Sequence, residues 1–267
     1  MISGFVILSE PERFRYPYLE SIKSFLPLCD EIIAVCNVLK DDGSTEKLKG
    51  LDPKVKVIGG LFDYERFGWA SQGIMRTNGY YACAGDMALM FDADGILHER
   101  DIEKAREVIK QMHDNGTAYG FWMKRRFNKR DKWVRQCKHS GIYNKSILGN
   151  NFNFYGGKAN YRPAWEMIPE DKRRAQNTDV WIYGYERCWD TREIFDYKLK
   201  QRRIMEMSAH FVPSEEDYVK GFIRERQEKI AKEGQFMPIE EQPQIIQDKL
   251  RSINEEQFGY NLFRGEK

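Results

Sequence analysis

The chain has 267 residues, of which 31% are charged and 41% hydrophobic, and its formal net charge is +2 at pH 7. A chain of this length can bury a sizeable core. Its small net charge excludes a strong overall electrostatic field, which would by itself indicate a charged partner. Because no run approaches 18 apolar residues, we expect no membrane-spanning helix. The five cysteines are widely spaced and lack a Cys-x-x-Cys pair, which predicts a reduced protein in the cytoplasm of the cell or of an infected host cell.

The first part of the chain alternates short apolar runs with amphipathic segments. Apolar runs over 2–8, 31–38 and 54–58 predict buried strands, and apolar residues at three- and four-residue spacing predict helices over 16–26 and 67–83. This alternation predicts an α/β fold with a doubly wound, mostly parallel sheet and helices on both faces.

Two acidic residues follow a further apolar run in the stretch 87–101, which reads MALMFDADGILHERD. The run ends at Asp92 and Asp94, and Gly95 begins a turn. Ligands of open α/β sheets lie at the carboxyl ends of the strands, and Mg²⁺ is usually held by one or two carboxylates together with substrate phosphates. The pair therefore indicates a metal that carries a diphosphate, although Asp-Ala-Asp-Gly also suits an ordinary turn.

A strongly basic segment, defined here as residues 124–138, follows a predicted strand over 118–123. It holds eight cations against one acidic residue, with Phe127 and Trp133 between them. A solvated hairpin would explain this pattern, and so would a surface that binds phosphates and stacks on bases. If the segment binds a polyanionic acceptor, the residues we expect to contact it are Arg125, Arg126, Lys129, Arg130 and Trp133.

Helical periodicity returns over 215–233 and 239–254, which predicts a helical C-terminal cap. We therefore expect one catalytic unit in three parts. Residues 1–123 would form a donor-binding half, residues 124–211 an acceptor-side half with a basic hairpin, and residues 212–267 the cap.

Several motifs in sequence order resemble family-2-type glycosyltransferases, which have the GT-A fold and use nucleotide sugars. They are the opening ISGFVILSE, the helix PYLESIKSFLPLCDEIIAV, the loop DDGST and the block FDADGILHERD, all within roughly the first 115 residues. The resemblance implies that Ser9, Glu10 and Arg13 border the nucleoside and that Asp41 or Asp42 contacts the base or ribose. Many members of this family carry an acidic residue at the position of Gly95. The role of that acidic side chain is therefore absent in this chain or belongs to another residue.

The same resemblance implies a metal site. Asp92 and Asp94 would hold the donor diphosphate through Mn²⁺ or Mg²⁺, with Asp94 as the direct ligand. His210 is the candidate for a third ligand, and a buried structural histidine would explain it equally well. Arg76 lies at helical spacing on the segment before the acidic pair, where it would face either the donor or solvent.

Inverting sugar transfer also needs a base that takes the acceptor proton. The second half of the chain offers Glu166, Asp179, Glu186 and Asp190. We expect Glu166 and Asp190 to be catalytic, and Glu166 is favoured because it follows an aromatic, glycine-bearing stretch of the kind that lines sugar pockets.

These features predict a metal-dependent glycosyltransferase, a hexosyl- or pentosyltransferase that inverts, with a UDP-sugar as donor. The acceptor would be a hydroxylated base in phage-type modified DNA. The alternatives are a glycan or lipid-linked acceptor in cell-surface polysaccharide synthesis, or a non-catalytic nucleic-acid-binding protein on a transferase scaffold. A nucleotidyltransferase is disfavoured because the loop after the first strand is not glycine-rich, and a dehydrogenase because no Gly-x-Gly-x-x-Gly follows it.

Overall fold

A computed structural model describes residues 1–127, 130–150, 152–154, 175–207 and 213–253. Its strands are β1 Ile2–Leu8, β2 Glu31–Asn37, β3 Val55–Gly60, β4 Met87–Met90, β5 Gly95–Leu97, β6 Tyr119–Phe127, β7 Lys132–Asn144, β8 Ala175–Gly184 and β9 Gln235–Phe236. Its helices are α1 Tyr18–Phe25, α2 Ser44–Lys49, α3 Tyr64–Phe67, α4 Ala70–Ala82, α5 Ile102–Asp114, α6 Lys145–Leu148, α7 Arg192–Met207, α8 Glu215–Glu233 and α9 Gln244–Arg251.

The described strands form one mixed sheet in the order β3-β2-β1-β4-β7-β6-β8-β5, and β9 pairs with β7. From β3 to β4 all neighbours are parallel. Beyond β4, the pair β6 and β8 is parallel, while β7 is antiparallel to both β4 and β6, and β5 is antiparallel to β8. The parallel half brings the carboxyl ends of β1, β2 and β4 to the same edge of the sheet.

Helices cover both faces of the sheet because successive strand residues point to opposite sides. Val6 and Leu8 of β1 pack in the same cluster as residues of α1 and α5. Phe5, one residue before Val6, points to the opposite face and packs with Met75 and Tyr80 of α4. Strand β2 is buried along its whole length, which explains its continuous apolar run. The α/β fold class with helices on both faces is therefore confirmed.

The boundaries differ from the sequence prediction at three places. The helix predicted over 67–83 begins only at Ala70, and a separate short helix, α3, ends at Phe67, because the chain bends at Gly68, whose φ of 51° is unfavourable for other residues. The last predicted helix begins only at Gln244, after Pro243. The strand predicted over 118–123 continues to Phe127, so the division predicted between residues 123 and 124 falls inside β6.

Helices α8 and α9 form the predicted helical cap. Ile246 and Leu250 of α9 are fully buried against Tyr183 and Ile96 of the β8 and β5 strands. Within the described ranges, no helix is both long and apolar enough to span a bilayer.

Candidate functional site

The acidic turn, residues 91–95 with Asp92 and Asp94, lies directly beyond β4, at the carboxyl edge of the parallel half. A buried hydroxyl on α1 fixes its backbone, since Ser21 Oγ donates to the carbonyl of Asp92 at 3.0 Å and that of Gly95 at 2.7 Å. On the other side, the amide of Tyr185 donates to the carbonyl of Asp94 at 2.9 Å. The turn is therefore held between α1 and the end of β8, with its two carboxylates at the sheet edge.

A lysine from β6 lies between these carboxylates. Lys124 Nζ is 3.1 Å from Asp92 Oδ2 and 3.3 Å from Asp94 Oδ2, and Arg76 Nη2 on α4 is 3.7 Å from Asp92 Oδ1. Only 5% of the Lys124 side chain is exposed, against 28% for Asp92. Burial alone would lower the pKa of Lys124, but the two carboxylates outweigh it and raise the pKa. Lys124 is thus a buried ammonium whose charge the acidic pair stabilises.

The acidic pair fits the protein's share of a divalent metal site. Carboxylate oxygens are hard ligands, and Asp94 Oδ2 is buried and accepts no hydrogen bond from any described residue. Burial raises the pKa of Asp94, although Lys124 opposes this shift. Among the described residues, no group of three or more His, Cys, Asp or Glu side chains is arranged to hold a metal. The predicted third ligand, His210, lies outside the described residues.

A second cluster of charges lies beside the first, at the end of β8 and on α7. Glu186 contacts Arg126 at 3.7 Å and Arg187 at 3.3 Å. Asp190 contacts Lys198 at 2.6 Å and Arg187 at 3.5 Å. Lys198 Nζ also donates to the carbonyl of Glu186 at 2.8 Å, so the two acidic residues share one network.

The two carboxylates of this network differ in their exposure to solvent. Asp190 is only 2% exposed; burial raises its pKa and lowers that of Lys198, while their ion pair favours the charged forms. Glu186 is 27% exposed. Burial alone would raise the pKa of Glu186, but the surrounding cations, above all Arg187 and Arg126, hold it well below its usual range. Glu186 therefore stays ionised and partly exposed to solvent. Of the two carboxylates predicted to be catalytic, Asp190 is in an internal ion pair, and Glu166 lies outside the described residues.

The loop after β1 carries the predicted nucleoside contacts Ser9, Glu10 and Arg13. Glu10 has a φ of 51°, a conformation that costs free energy in a residue other than glycine and that persists only where surrounding contacts enforce it. Arg13 Nη1 donates to Glu10 Oε1 at 2.8 Å, and its guanidinium lies 4.1 Å from the ring centre of Tyr197 on α7. Ser9 Oγ accepts a hydrogen bond from Asn37 at 3.1 Å. The loop is thus tied to both β2 and α7.

The two acidic residues after β2 have different surroundings. Asp42 Oδ2 accepts hydrogen bonds from the amides of Glu12 and Arg13, at 2.7 and 3.0 Å, and so joins the loops after β1 and β2. Asp41 is exposed and lines a cavity of about 560 Å³, a volume within the range of small-molecule sites. The other residues of its wall are Cys36, Asn37, Val38, Thr45, Lys49, Val55, Val57, Ile58 and Gly59.

The described part of the basic segment 124–138 forms the two strands of a hairpin, β6 and β7, and several of its cations contact the protein itself. The Arg125 guanidinium lies 4.8 Å from the ring centre of Trp133 and 4.7 Å from that of Trp181, and its Nη1 donates to Tyr183 Oη at 2.8 Å. Trp133 is buried at this contact. Arg130 is half-buried, and Lys129 lies outside the described residues.

Sequence reasoning missed Lys124 as a member of the acidic site, since its charge was assigned to the basic run. Strand periodicity carries the missing signal. When β6 is continued through the basic residues, Lys124 and Arg126 fall on one face and Arg125 on the other. The structure shows this division, because Lys124 and Arg126 contact acidic side chains whereas Arg125 contacts aromatic rings. The role of Ser21 had no sequence signal, because it depends on how α1 packs on the turn.

No protein-family model matches this chain, and no curated protein matches it. Several solved structures are similar to it. S. aureus TarS matches with a TM-score of 0.44 and 15% identity over 86% of this chain, which spans only 43% of the TarS chain. TarS 1-349 in complex with UDP has a TM-score of 0.45 and 15% identity, covering 85% of this chain and 72% of that one.

A mannosyltransferase, PcManGT from Pyrobaculum calidifontis in complex with GDP-Man and Mn²⁺, has a TM-score of 0.49 and 14% identity, covering 79% of this chain and 65% of that one. A 4-diphosphocytidyl-2C-methyl-D-erythritol synthase from Anaerococcus prevotii has a TM-score of 0.43 and 12% identity, covering 84% and 96%. All these TM-scores are below 0.5. The function proposed below therefore rests on the acidic pair and the charged residues around it.

Proposed function

We propose that this chain is a glycosyltransferase that moves a sugar from a nucleoside-diphosphate donor to a hydroxyl group of an acceptor. The observation that carries this proposal is the pair Asp92 and Asp94 at the carboxyl end of β4, beside the cations Arg76 and Lys124. Carboxylates that can hold a divalent ion, next to cations that can contact phosphate, suit a leaving group that departs as a diphosphate.

In this proposal Asp92 and Asp94 would hold Mn²⁺ or Mg²⁺, and such a metal would neutralise charge that develops on the leaving diphosphate. The protein adds fixed cations around the same place. Arg76 and Lys124 contact the acidic pair directly, and Arg126 lies on the same face of β6 as Lys124. Cations that are in place once the donor is bound need little further reorganisation during the reaction.

The nucleoside would lie between the loops after β1 and β2. Ser9, Glu10 and Arg13 border this region, and Asp42 positions the first loop through its hydrogen bonds to two amides of that loop. The cavity beside Asp41 adjoins only the second of these loops, because its wall comes from β2, the loop after β2, α2 and β3. The predicted donor is a UDP-sugar.

For the proton of the acceptor hydroxyl, Glu166 is kept as the proposed base. Asp190 can take this role only if its 2.6 Å ion pair with Lys198 opens. Glu186 is partly exposed and held ionised by Arg187 and Arg126, which makes it a weak base. A carboxylate of this kind is suited to accept hydrogen bonds from sugar hydroxyls, and we assign that role to Glu186.

The acceptor stays a separate hypothesis, with a hydroxylated base in modified DNA as the first choice and a glycan or lipid-linked hydroxyl as the alternative. Lys124, Arg125 and Arg126 contact the chain's own residues, whereas Lys132 is exposed near the end of the hairpin. A DNA acceptor would therefore have to bind through the exposed end of the hairpin.

A thermal-unfolding panel tests the proposed donor, since a ligand that binds only the native state raises the melting temperature. The panel compares UDP, GDP, CMP and dTDP, each with and without Mn²⁺. We expect one nucleoside diphosphate to stabilise the protein, and to do so more strongly with Mn²⁺. If no nucleotide shifts the melting temperature under either condition, the proposed donor class is wrong.

A further inference from the structure

Four side chains at the acidic turn form an ion cluster whose formal charges cancel: Asp92, Asp94, Lys124 and Arg76. Lys124 Nζ lies 3.1 Å from Asp92 Oδ2 and 3.3 Å from Asp94 Oδ2. An ammonium at these distances occupies the space between the two carboxylates that a cation bound to both would need. Lys124 therefore already acts as the counter-ion of the pair.

This arrangement opposes the binding of a divalent cation alone. Two further positive charges would be placed beside a buried ammonium, where low exposure weakens screening and like charges repel strongly. A diphosphate alone is opposed in the same way, because it would add negative charge beside Asp92 and Asp94. A divalent cation and a diphosphate that arrive together change the net charge of the cluster far less than either does alone.

We infer that Lys124 is an internal counter-ion that keeps a divalent cation from binding to the free protein and so makes the cation and the nucleoside diphosphate bind together. The ammonium gives up its contacts with the carboxylates when the cation binds, and the diphosphate provides the anion that replaces them. This coupling rests on the proposed function for the identity of the second ligand, whereas the exclusion of the cation rests on Lys124 and the two carboxylates alone.

The chain also makes space for the lysine at this position. A Cβ atom added at Gly184 on β8 would lie 2.3 Å from Lys124 Cε and 3.2 Å from Asp94 Oδ2. An alanine there would displace the Lys124 side chain while its charge stays in the protein, and the added Cβ would also contact Asp94 Oδ2. Gly184 thus offers a way to move Lys124 without removing it.

The experiment is a Mn²⁺ titration of the free protein without nucleotide, followed by electron paramagnetic resonance of the unbound ion. The variants are Lys124→Met, which removes the charge and keeps much of the side-chain length, and Gly184→Ala, which displaces the ammonium. Lys220→Met is the matched control, since Lys220 is an exposed lysine that pairs with Glu216 on α8. Urea unfolding establishes which variants are folded, and Gly184→Ala carries the test if Lys124→Met is not.

We expect weak Mn²⁺ binding by the natural chain and by Lys220→Met. In Lys124→Met and Gly184→Ala the Mn²⁺ affinity should be higher by on the order of tenfold or more, because a repelling charge has been removed or moved. Equal Mn²⁺ affinity in the natural chain and in the folded site variants would overturn the inference, and so would tight Mn²⁺ binding by the natural chain alone.

A second titration, with a nucleoside diphosphate present, measures the coupling. The inference expects the nucleotide to raise Mn²⁺ affinity much more in the natural chain than in Lys124→Met, since linkage is reciprocal between two ligands. If no nucleotide binds, the proposed donor is wrong while the titration with Mn²⁺ alone still decides the role of Lys124. If nucleotide and Mn²⁺ bind with equal coupling in both proteins, the role of Lys124 is wrong and the donor class stands.

Discussion

Ser21 shows how a single buried hydroxyl sets the geometry of the proposed donor site. Its Oγ donates to the carbonyls of Asp92 and Gly95, and no part of the residue is exposed. In Ser21→Ala these carbonyls lose a donor in a buried place, which typically costs about 1 to 3 kcal/mol. We expect a lower free energy of unfolding by about that amount, together with weaker binding of a Mn²⁺-nucleotide pair.

Urea unfolding and calorimetric titration measure the two effects. Ser252→Ala is the matched control, because Ser252 is exposed directly after α9 and its hydroxyl donates to the carbonyl of Lys249 in that helix. Unchanged stability in Ser21→Ala, or a loss no larger than in Ser252→Ala, would show that the hydroxyl does not hold the turn.

Residue types in the sequence indicated the acidic pair but not Lys124, which lies between its carboxylates. Asp92 and Asp94 stand out because they interrupt a buried apolar run, and this signal is local. Lys124 reaches them from a strand 30 residues later, so only the sheet order brings them together. The lack of a side chain at Gly95 also has a packing cause, because a Cβ atom there would lie 3.0 Å from Ile182 Cγ2 on β8.

At the scale of elements, Glu31 joins β2 to its neighbours. Its carboxylate accepts hydrogen bonds from Ser3 Oγ at 2.7 Å, the Ala84 amide at 2.6 Å and Lys56 Nζ at 2.6 Å. Burial alone would raise the pKa of Glu31, but these donors, with Lys56 first among them, lower it from its usual value of 4.5. Its ionised form therefore stabilises the contacts between β1, β2, β3 and the segment before β4.

We expect Glu31→Gln to lower the free energy of unfolding at neutral pH by about 2 kcal/mol, the usual size for hydrogen bonds to a charged group. Because the folded pKa is lowered, the stabilisation is present above pH 4.5 and is lost as the pH falls through the folded value. The difference from the natural chain should therefore shrink in acid. Urea unfolding at several pH values measures it, with the exposed Glu46→Gln as control.

If the free energy of unfolding of Glu31→Gln differs from that of the natural chain by the same amount at every pH, the stabilising role of the ionised Glu31 is wrong. Glu46 pairs with Lys49 on the surface of α2, so its replacement should have little effect, as is usual for exposed ion pairs.

For the molecule as a whole, the sequence predicted the parallel half better than the rest of the sheet. Strands β1 to β4 pair in parallel around helices that local periodicity reveals, so their order follows from short right-handed connections. The insertion of β7 between β4 and β6 depends on antiparallel pairing between distant segments, such as Ala88 with Tyr143. Local periodicity contains no information on such pairing, and the charges of β6 also concealed that this strand continues to Phe127.

In the function proposed for the whole molecule, Asp94 holds a divalent ion together with the donor diphosphate. Asp94→Asn tests it most directly, because the amide keeps the shape of the side chain and removes the negative charge. The matched control is Asp248→Asn, whose side chain is fully exposed on α9. Urea unfolding confirms that both variants are folded before binding is compared.

The measurement is a calorimetric titration of the nucleoside diphosphate selected by the melting panel, with and without Mn²⁺, into the natural chain and both variants. We expect Mn²⁺ to strengthen nucleotide binding in the natural chain and in Asp248→Asn. In Asp94→Asn this gain in nucleotide affinity should be smaller by at least about tenfold, because even the loss of a residue that only supports a metal ligand usually lowers metal affinity by that factor. An equal gain from Mn²⁺ in folded Asp94→Asn would contradict the proposed donor site.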